Sequence, residues 1–216
     1  MIEFYGLGFS PFTCPVELML DIKGVDYDKI IPDRDMIMAD AFVELSPMRK
    51  VPVVVIDGTP VSESIAIGEL LEELYPQPRL LPDGALERAR VRMHASMASL
   101  YIATPSVHMF SNRRASGGTD VEADARAMLT RGFAAIESAI EGGRYATGGQ
   151  RSMADCILAP ALHFATGTLS RLGFEDVPAP GPDTGQYFQN IGEDAEIGAC
   201  LAAMSASVDE ALGPVG

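Results

Sequence analysis

The chain has 216 residues, of which 47% are hydrophobic and 21% are charged, and its formal net charge is −14. This composition excludes general disorder and predicts one large or two small folded domains. The acidic balance repels phosphate backbones and anionic lipid surfaces, so we expect neither nucleic acid nor membrane as a partner. No apolar stretch approaches the ~20 residues that cross a bilayer, which together with an N-terminus unlike a signal peptide favours a cytoplasmic location.

The cysteines and histidines are scattered along the sequence. Cys14, Cys156 and Cys200 are odd in number and have no metal-ligand spacing, so they predict neither a disulfide framework nor a zinc site. The histidines, His94, His108 and His163, do not form a cluster with ligand spacing either. We therefore expect no bound metal and consider each thiol singly.

The first 76 residues combine β-forming runs with helical patterns. In chain order they predict a strand at 2–5, a buried helix that begins near Ser10 or Thr13 and ends at Gly24, a strand at 25–31, a hairpin of two strands around Asp57-Gly58, and a helix at 64–75. Pro76 and Pro78 end that helix. This order, β-α-β-loop-β-β-α, predicts an α/β domain over 1–76 and a linker over 77–84.

Residues 85–216 have a different character. Alanine- and methionine-rich periodic segments at about 85–112, 120–141 and 153–172, with a weaker one at 188–212, predict helices and no strand. We therefore expect an all-helical bundle as the second domain.

Two features near the predicted hairpin point to a ligand site. Pro52 lies in a run that otherwise predicts a central strand, although proline removes a ladder hydrogen bond. Glu63 and Ser64 open the next helix, where a hydroxyl and free N–H groups favour an anion. Taken alone, Pro52 is explained by a position on an edge strand, and Ser64 is explained by an ordinary helix cap. A small carboxylate is the ligand that this helix start suits.

The segment S-P-M-R-K-V-P-V-V-V-I-D-G-T-P-V-S-E-S-I-A-I, from Ser46 to Ile67, resembles the glutathione-binding segment of the cytosolic glutathione S-transferases. The resemblance implies a thioredoxin-like first domain and a cis peptide bond before Pro52. It also implies that Val51 pairs with the cysteinyl part of glutathione through its backbone, and that Glu63 and Ser64 hold the γ-glutamyl amine and carboxylate.

Lys50 resembles the family's basic residue for the glycyl carboxylate of glutathione. A further basic residue, which some classes supply from the preceding helical region, is not evident there, since Met36, Ile37 and Met38 occupy that stretch. Arg34 is the nearest substitute.

The second domain contains A-T-G-G-Q-R-S-M-A-D, from Ala146 to Asp155, which resembles the family's G-x-x-x-S-x-A-D element. The spacing of Ser152 and Asp155 also predicts a capping box with Asp in place of Glu or Gln, which stabilises a helix start. The end of the chain departs from the family's pattern because the sequence has no tryptophan.

Transfer of glutathione requires its thiol to be a thiolate, whose formation a hydroxyl donor favours. The segment from Phe9 to Leu20, F-S-P-F-T-C-P-V-E-L-M-L, resembles the S-P-F element of the tau-type transferases. The register of this resemblance places Ser10 where serine or cysteine acts in several classes of the family. Cys14 is a rival that would act through a mixed disulfide. Thr13 and Tyr5 are further alternatives, and Pro15 stands where the family commonly has arginine.

The resemblance implies a glutathione S-transferase that activates the thiol of glutathione for attack on a small hydrophobic electrophile. A glutathione-dependent isomerase, dehalogenase, ether-cleaving enzyme or thiol oxidoreductase remains an alternative, as does a non-catalytic glutathione-binding or regulatory module. The resemblance also implies a homodimer, with Met48 where some classes insert an aromatic residue into the partner. Candidate contacts for the electrophile are Phe9, Phe12, His108 and Phe110.

Overall fold

The computed structural model describes residues 1–115, 119–171, 173–174 and 177–212. Its first half consists of β1 (Ile2–Tyr5), α1 (Thr13–Ile22), β2 (Tyr27–Ile30), α2 (Arg34–Met38), α3 (Phe42–Leu45), β3 (Val53–Ile56), β4 (Thr59–Ser62) and α4 (Ser64–Leu74). The predicted order is confirmed, but the connection before β3 contains two short helices that the sequence pattern did not indicate. The fold is the expected thioredoxin-like arrangement.

The four strands form one mixed sheet in the order β2-β1-β3-β4. β1 is parallel to β2 and antiparallel to β3, which in turn pairs antiparallel with β4. The parallel pair requires a crossover, and α1 supplies it while it buries almost all of its side chains. Asp57 and Gly58 turn the hairpin with φ of 51° and 79°, the positive values that a tight two-residue turn needs.

The second half consists of α5 (Ala85–Met97), a π-helical segment (Ala98–Ala103), α6 (Thr104–Arg114), α7 (Thr119–Ala139), α8 (Met153–His163), a second π-helical segment (Phe164–Thr168), α9 (Leu169–Arg171), α10 (Pro182–Ile191) and α11 (Ala195–Leu212). Apart from a bridge between Tyr145 and Gly148, no β-structure occurs in the described residues beyond Ala85. The all-helical prediction is therefore confirmed.

The last predicted helix, 188–212, is instead two helices. α10 ends at Ile191 and α11 begins at Ala195. The Asp194 carboxylate accepts the N–H of Ile197 at 3.3 Å, so it caps a new helix rather than continuing the old one. None of the helices in the described ranges is long and apolar enough to span a membrane.

Helix α8 lies at the centre of the helical half, and its residues 153–162 are all buried. It packs against α1, α5 and α11. The predicted capping box at its start is confirmed: Asp155 accepts the N–H of Ser152 at 2.8 Å and the Ser152 hydroxyl at 2.9 Å. Asp155 also accepts the N–H of Ala146 at 2.7 Å and the hydroxyl of Tyr187 at 3.2 Å. One carboxylate thus joins a loop, α8 and α10.

A buried lysine holds the connection between the two halves. The fully buried Lys23 side chain forms an ion pair with Glu72 at 2.7 Å, and Glu72 also accepts the N–H groups of Leu80 and Leu81. The carbonyl of Leu80 in turn accepts the N–H of Met153 at 2.8 Å, at the start of α8. The division into a first domain (1–76), a linker (77–84) and a second domain (85–216) remains a prediction.

We predict that Asp155→Ala lowers the free energy of unfolding by about 3–5 kcal/mol, because it leaves several buried donors without an acceptor. Urea unfolding followed by circular dichroism measures this change. Asp124→Ala is the matched control, since Asp124 is exposed on α7 and its loss should change stability by less than about 0.5 kcal/mol. Equal effects of the two substitutions would contradict the prediction.

Candidate active site

A cavity of about 180 Å³ opens where the two halves of the chain meet. The structure brings together here the five residues that the sequence predicted to bind glutathione: Lys50, Val51, Pro52, Glu63 and Ser64. The other lining residues are Phe12, Ser46 and Ser62 from the first half and Ser99, Leu100 and Thr104 from the second. The cavity is therefore built by elements distant in sequence.

The Val51–Pro52 peptide bond is cis, as the family resemblance implied. β3 begins at Val53, so Pro52 lies just before the strand and not within it, and its missing N–H removes no ladder bond. No described residue hydrogen-bonds to the N–H or the carbonyl of Val51. Both groups are consequently available for backbone pairing with an extended ligand.

Glu63 and Ser64 form the entry into α4 at the cavity wall. Glu63 has a φ of 73°, a left-handed conformation that is uncommon for a residue with a side chain. Ser64 begins the helix, whose first turn contains no acidic residue. Because the first N–H groups of a helix have no intrahelical partners and lie at its positive end, this turn suits a carboxylate.

Ser10 lies in the loop between β1 and α1. Its hydroxyl oxygen accepts the N–H groups of Phe12 and Thr13, both at 3.3 Å. Within the described part of the chain, nothing accepts the Ser10 hydroxyl proton. Ser10 does not itself line the 180 Å³ cavity, but Phe12 does, and the Phe12 carbonyl accepts the Ser64 hydroxyl at 2.8 Å. The Ser10 loop is thus bonded directly to the cavity wall.

The side chains of the alternatives to Ser10 form hydrogen bonds with other groups. Thr13 accepts the N–H of Leu7 at 3.3 Å, and the Tyr5 hydroxyl donates to Glu3 at 2.9 Å. The Cys14 thiol is buried and donates to the carbonyl of Gly8 at 3.2 Å. A hydrogen bond with the Cys200 side chain and burial raise the pKa of Cys14 well above its ordinary value, the opposite of what a nucleophilic thiolate requires.

Lys50 is the only basic residue among the described residues that line the cavity. Its side chain is exposed, and no described carboxylate pairs with it. The neighbouring Arg49 is committed to the α2–α3 region, where its guanidinium donates to the carbonyls of Ile37 and Ala39 and to the carboxylate of Asp40. Arg34, the weaker candidate, does not line the cavity.

Of the four candidate contacts for an electrophile, Phe12 alone lines the cavity. The rings of Phe9 and Phe110 have centroids 5.9 Å apart, and Phe164 extends this cluster with its centroid 5.8 Å from that of Phe110. Phe12 lines the cavity, whereas His108 is exposed and does not. The described residues contain no group of His, Cys, Asp or Glu that is able to hold a metal ion.

Sequence reasoning missed the lining residues that the second half contributes. Ser99 and Leu100 lie in the first π-helical segment, and Thr104 begins α6. Periodicity indicates only that this region is helical. Their position at the cavity depends on how the two halves pack, which no local pattern encodes.

Comparison with known proteins defines the class. Residues 9–74 match the family model "Glutathione S-transferase, N-terminal domain", and residues 83–189 match "Glutathione S-transferase, C-terminal domain". The chain belongs to the glutathione S-transferase family, whose co-substrate is glutathione.

Two relatives and one solved structure are similar to this chain over most of its length. The chain is 36% identical over 153 residues to maleylacetoacetate isomerase of Rattus norvegicus, an alignment that covers 68% of this chain and 70% of that protein. It is 32% identical over 179 residues to maleylpyruvate isomerase of Ralstonia, with coverage of 76% and 82%. A solved structure of maleyl pyruvate isomerase, described as a bacterial glutathione S-transferase of the zeta class, is similar with a TM-score of 0.75 at 28% identity, covering 93% of this chain and 97% of that one.

Proposed function

We propose that the 180 Å³ cavity binds glutathione through the residues that line it. Glutathione has a carboxylate and an ammonium group at one end, a carboxylate at the other and peptide groups between them. The start of α4 with Ser64 suits the γ-glutamyl carboxylate, and Glu63 offers a negative charge to the ammonium group. The unpaired backbone groups of Val51 suit the cysteinyl part, and Lys50 suits the glycyl carboxylate.

We predict that Ser64→Ala weakens glutathione binding about tenfold, because we expect the Ser64 hydroxyl to turn its proton from the Phe12 carbonyl to the charged carboxylate of the ligand. Isothermal titration calorimetry measures the affinity. Ser62→Ala is the matched control, since Ser62 lines the same cavity without a proposed role, and it should change affinity less than about twofold. Unchanged affinity in Ser64→Ala would remove this residue from the site, and no binding by the wild type would contradict the whole assignment.

We infer that Ser10 stabilises the thiolate of bound glutathione for attack on a small hydrophobic electrophile. The observation that carries this inference is the Ser10 hydroxyl, whose oxygen is fixed by two backbone N–H groups while its proton has no acceptor among the described residues. α1 begins at Thr13 with no acidic residue in its first turn, so the positive end of that helix also favours a thiolate near Ser10. Glutathione supplies the nucleophile, and the chain supplies its position and its ionisation.

We predict that Ser10→Ala lowers kcat/KM for conjugation of an aryl halide by about 10²-fold, the scale of a lost transition-state donor. The same variant should raise the pKa of bound glutathione, measured by titration of thiolate absorbance. Ser10→Thr retains both the hydroxyl and the bonds to the backbone, so it should recover much of the activity.

Cys14→Ala serves as the second control for this experiment and should leave turnover nearly unchanged under reducing conditions. Loss of turnover in Cys14→Ala with Ser10→Ala active would replace the transferase mechanism by thiol exchange on the same fold. Glutathione binding without turnover of any electrophile tested would favour the non-catalytic module.

A glutathione-dependent isomerisation is the second candidate function, because two relatives at 36% and 32% identity are named as isomerases of maleyl compounds. A maleyl group contains a cis double bond, which can rotate after reversible addition of a thiolate. The same Ser10 and the same cavity would serve this chemistry.

The amount of glutathione consumed distinguishes isomerisation from transfer. Isomerisation leaves the free thiol concentration constant while the substrate is converted, whereas transfer consumes one thiol for each product molecule. A panel of haloaromatic, epoxide, aryl-ether and maleyl substrates, followed for both thiol and product, assigns the reaction and also tests dehalogenation and ether cleavage.

We also propose a homodimer, since closed two-fold dimers are the commonest soluble oligomer and several large apolar side chains are exposed. Met48 is 67% exposed, and on α5 and the following segment Leu86 is 71% and Leu100 53% exposed. Light scattering at micromolar concentration should give twice the chain mass of 23.0 kDa, and a single-chain mass would contradict the dimer.

A further inference from the structure

Three cysteines that are far apart in sequence converge where α1, α8 and α11 meet. Cys14 lies on α1, Cys156 on α8 and Cys200 on α11, and each of these helices packs against the other two. Cys14 and Cys156 are buried, and Cys200 is half-buried. The expectation that each thiol stands alone is therefore incomplete, because the fold groups what the sequence separates.

Cys14 and Cys200 are the pair in contact. The Cys200 sulfur lies 3.9 Å from the backbone carbonyl oxygen of Cys14, across the boundary between α1 and α11. The Cys200 side chain also contributes to the raised pKa of the Cys14 thiol. Cys156 is fully buried within α8, and among the described residues it has no hydrogen bond to either of the other thiols.

We propose that Cys14 and Cys200 form a reversible disulfide when the protein meets a low-molecular-weight disulfide such as glutathione disulfide. The proposal does not depend on the proposed catalytic function, since it requires only the two thiols and an external oxidant of that class.

The exchange proceeds in two balanced steps. The Cys200 thiolate attacks one sulfur of glutathione disulfide, so that a mixed disulfide forms at Cys200 and one glutathione thiolate leaves. The Cys14 thiol, whose raised pKa makes this the slower step, then loses its proton to the departing glutathione as its sulfur attacks the Cys200 sulfur, which releases the second glutathione. Two protein thiols are oxidised, one glutathione disulfide is reduced, and the two thiol protons pass to the leaving glutathiones. Cys200 attacks first because it is half-buried, whereas Cys14 is buried.

This bond would link α1 of the first half covalently to α11 of the second, beside the Ser10 loop. The Ser10 carbonyl accepts the N–H of Cys14 at 3.0 Å. Gly8 in the same loop approaches α11 so closely that a Cβ atom there would lie 2.4 Å from the Ser207 hydroxyl oxygen. The loop is thus packed against α11 already, and the disulfide would restrain it where Ser10 is held.

The test treats the reduced full-length protein with glutathione disulfide, blocks the remaining thiols and measures intact mass and non-reduced peptide maps. We expect the wild type to lose two free thiols and two hydrogens and to yield a linked peptide pair containing Cys14 and Cys200. Addition of excess dithiothreitol should restore both thiols.

Three variants identify which cysteines form the bond, and each variant is first checked for a native circular dichroism spectrum. Cys156→Ser should give the same linked pair as the wild type. Cys14→Ser should retain a glutathionyl group at Cys200, and Cys200→Ser should give no linked pair. A wild-type protein that keeps both thiols reduced, stops at the mixed disulfide or links Cys156 instead would overturn the proposal.

Discussion

A buried negative charge at the start of α8 organises the helical half of this protein. Asp155 accepts four hydrogen bonds, one from the preceding loop, two from the N-cap residue Ser152 and one from α10, and burial nevertheless raises its pKa. A buried carboxylate lowers stability unless it accepts hydrogen bonds, and buried donors likewise lower stability unless they have an acceptor. The carboxylate and its donors therefore stabilise each other's burial. Since α8 packs against α1, the position of the Ser10 loop before α1 rests indirectly on this capping arrangement.

The electrostatics of the cavity differ from the acidic balance of the whole molecule. The chain has a formal net charge of −14, which disfavours an anionic ligand at long range. At the cavity, the positive end of α4 and Lys50 both contribute to the lining, with Glu63 as the one acidic residue among the lining residues. The Ser64 hydroxyl connects α4 to the loop that precedes α1. Short-range dipoles and one cation therefore offset the long-range repulsion where a carboxylate would bind. Salt screens the repulsion more strongly than these close contacts.

Features governed by neighbouring residues could be predicted from the sequence. The hairpin turn needs positive φ at Asp57 and Gly58, and the capping box needs a hydroxyl and a carboxylate at a fixed spacing, so both are visible locally. The family resemblance added the segment that we propose to bind glutathione, and its five residues line one cavity. The break before α11 also had a local signal, since Asp194 is a favourable helix cap.

Features that depend on packing between distant segments could not be predicted in this way. The short helices α2 and α3 span too few residues to show periodicity, so the segment appears only polar. Nothing in the spacing of Cys14, Cys156 and Cys200 indicates that α1, α8 and α11 bring them together. The contribution of Ser99 and Thr104 to the cavity likewise follows from the docking of the two halves.

The π-helical segment Ala98–Ala103 places Ser99 and Leu100 at the cavity on a turn wider than that of an α-helix. A π-helical turn holds one residue more than an α-helical turn, so removal of a single residue there would permit a continuous α-helix from α5 through α6. Because the wide turn absorbs the extra residue, α6 would keep its facing after such a deletion, and Thr104 would stay at the cavity. The deletion would instead change which side chains of the segment, Ser99 and Leu100 among them, reach the cavity wall.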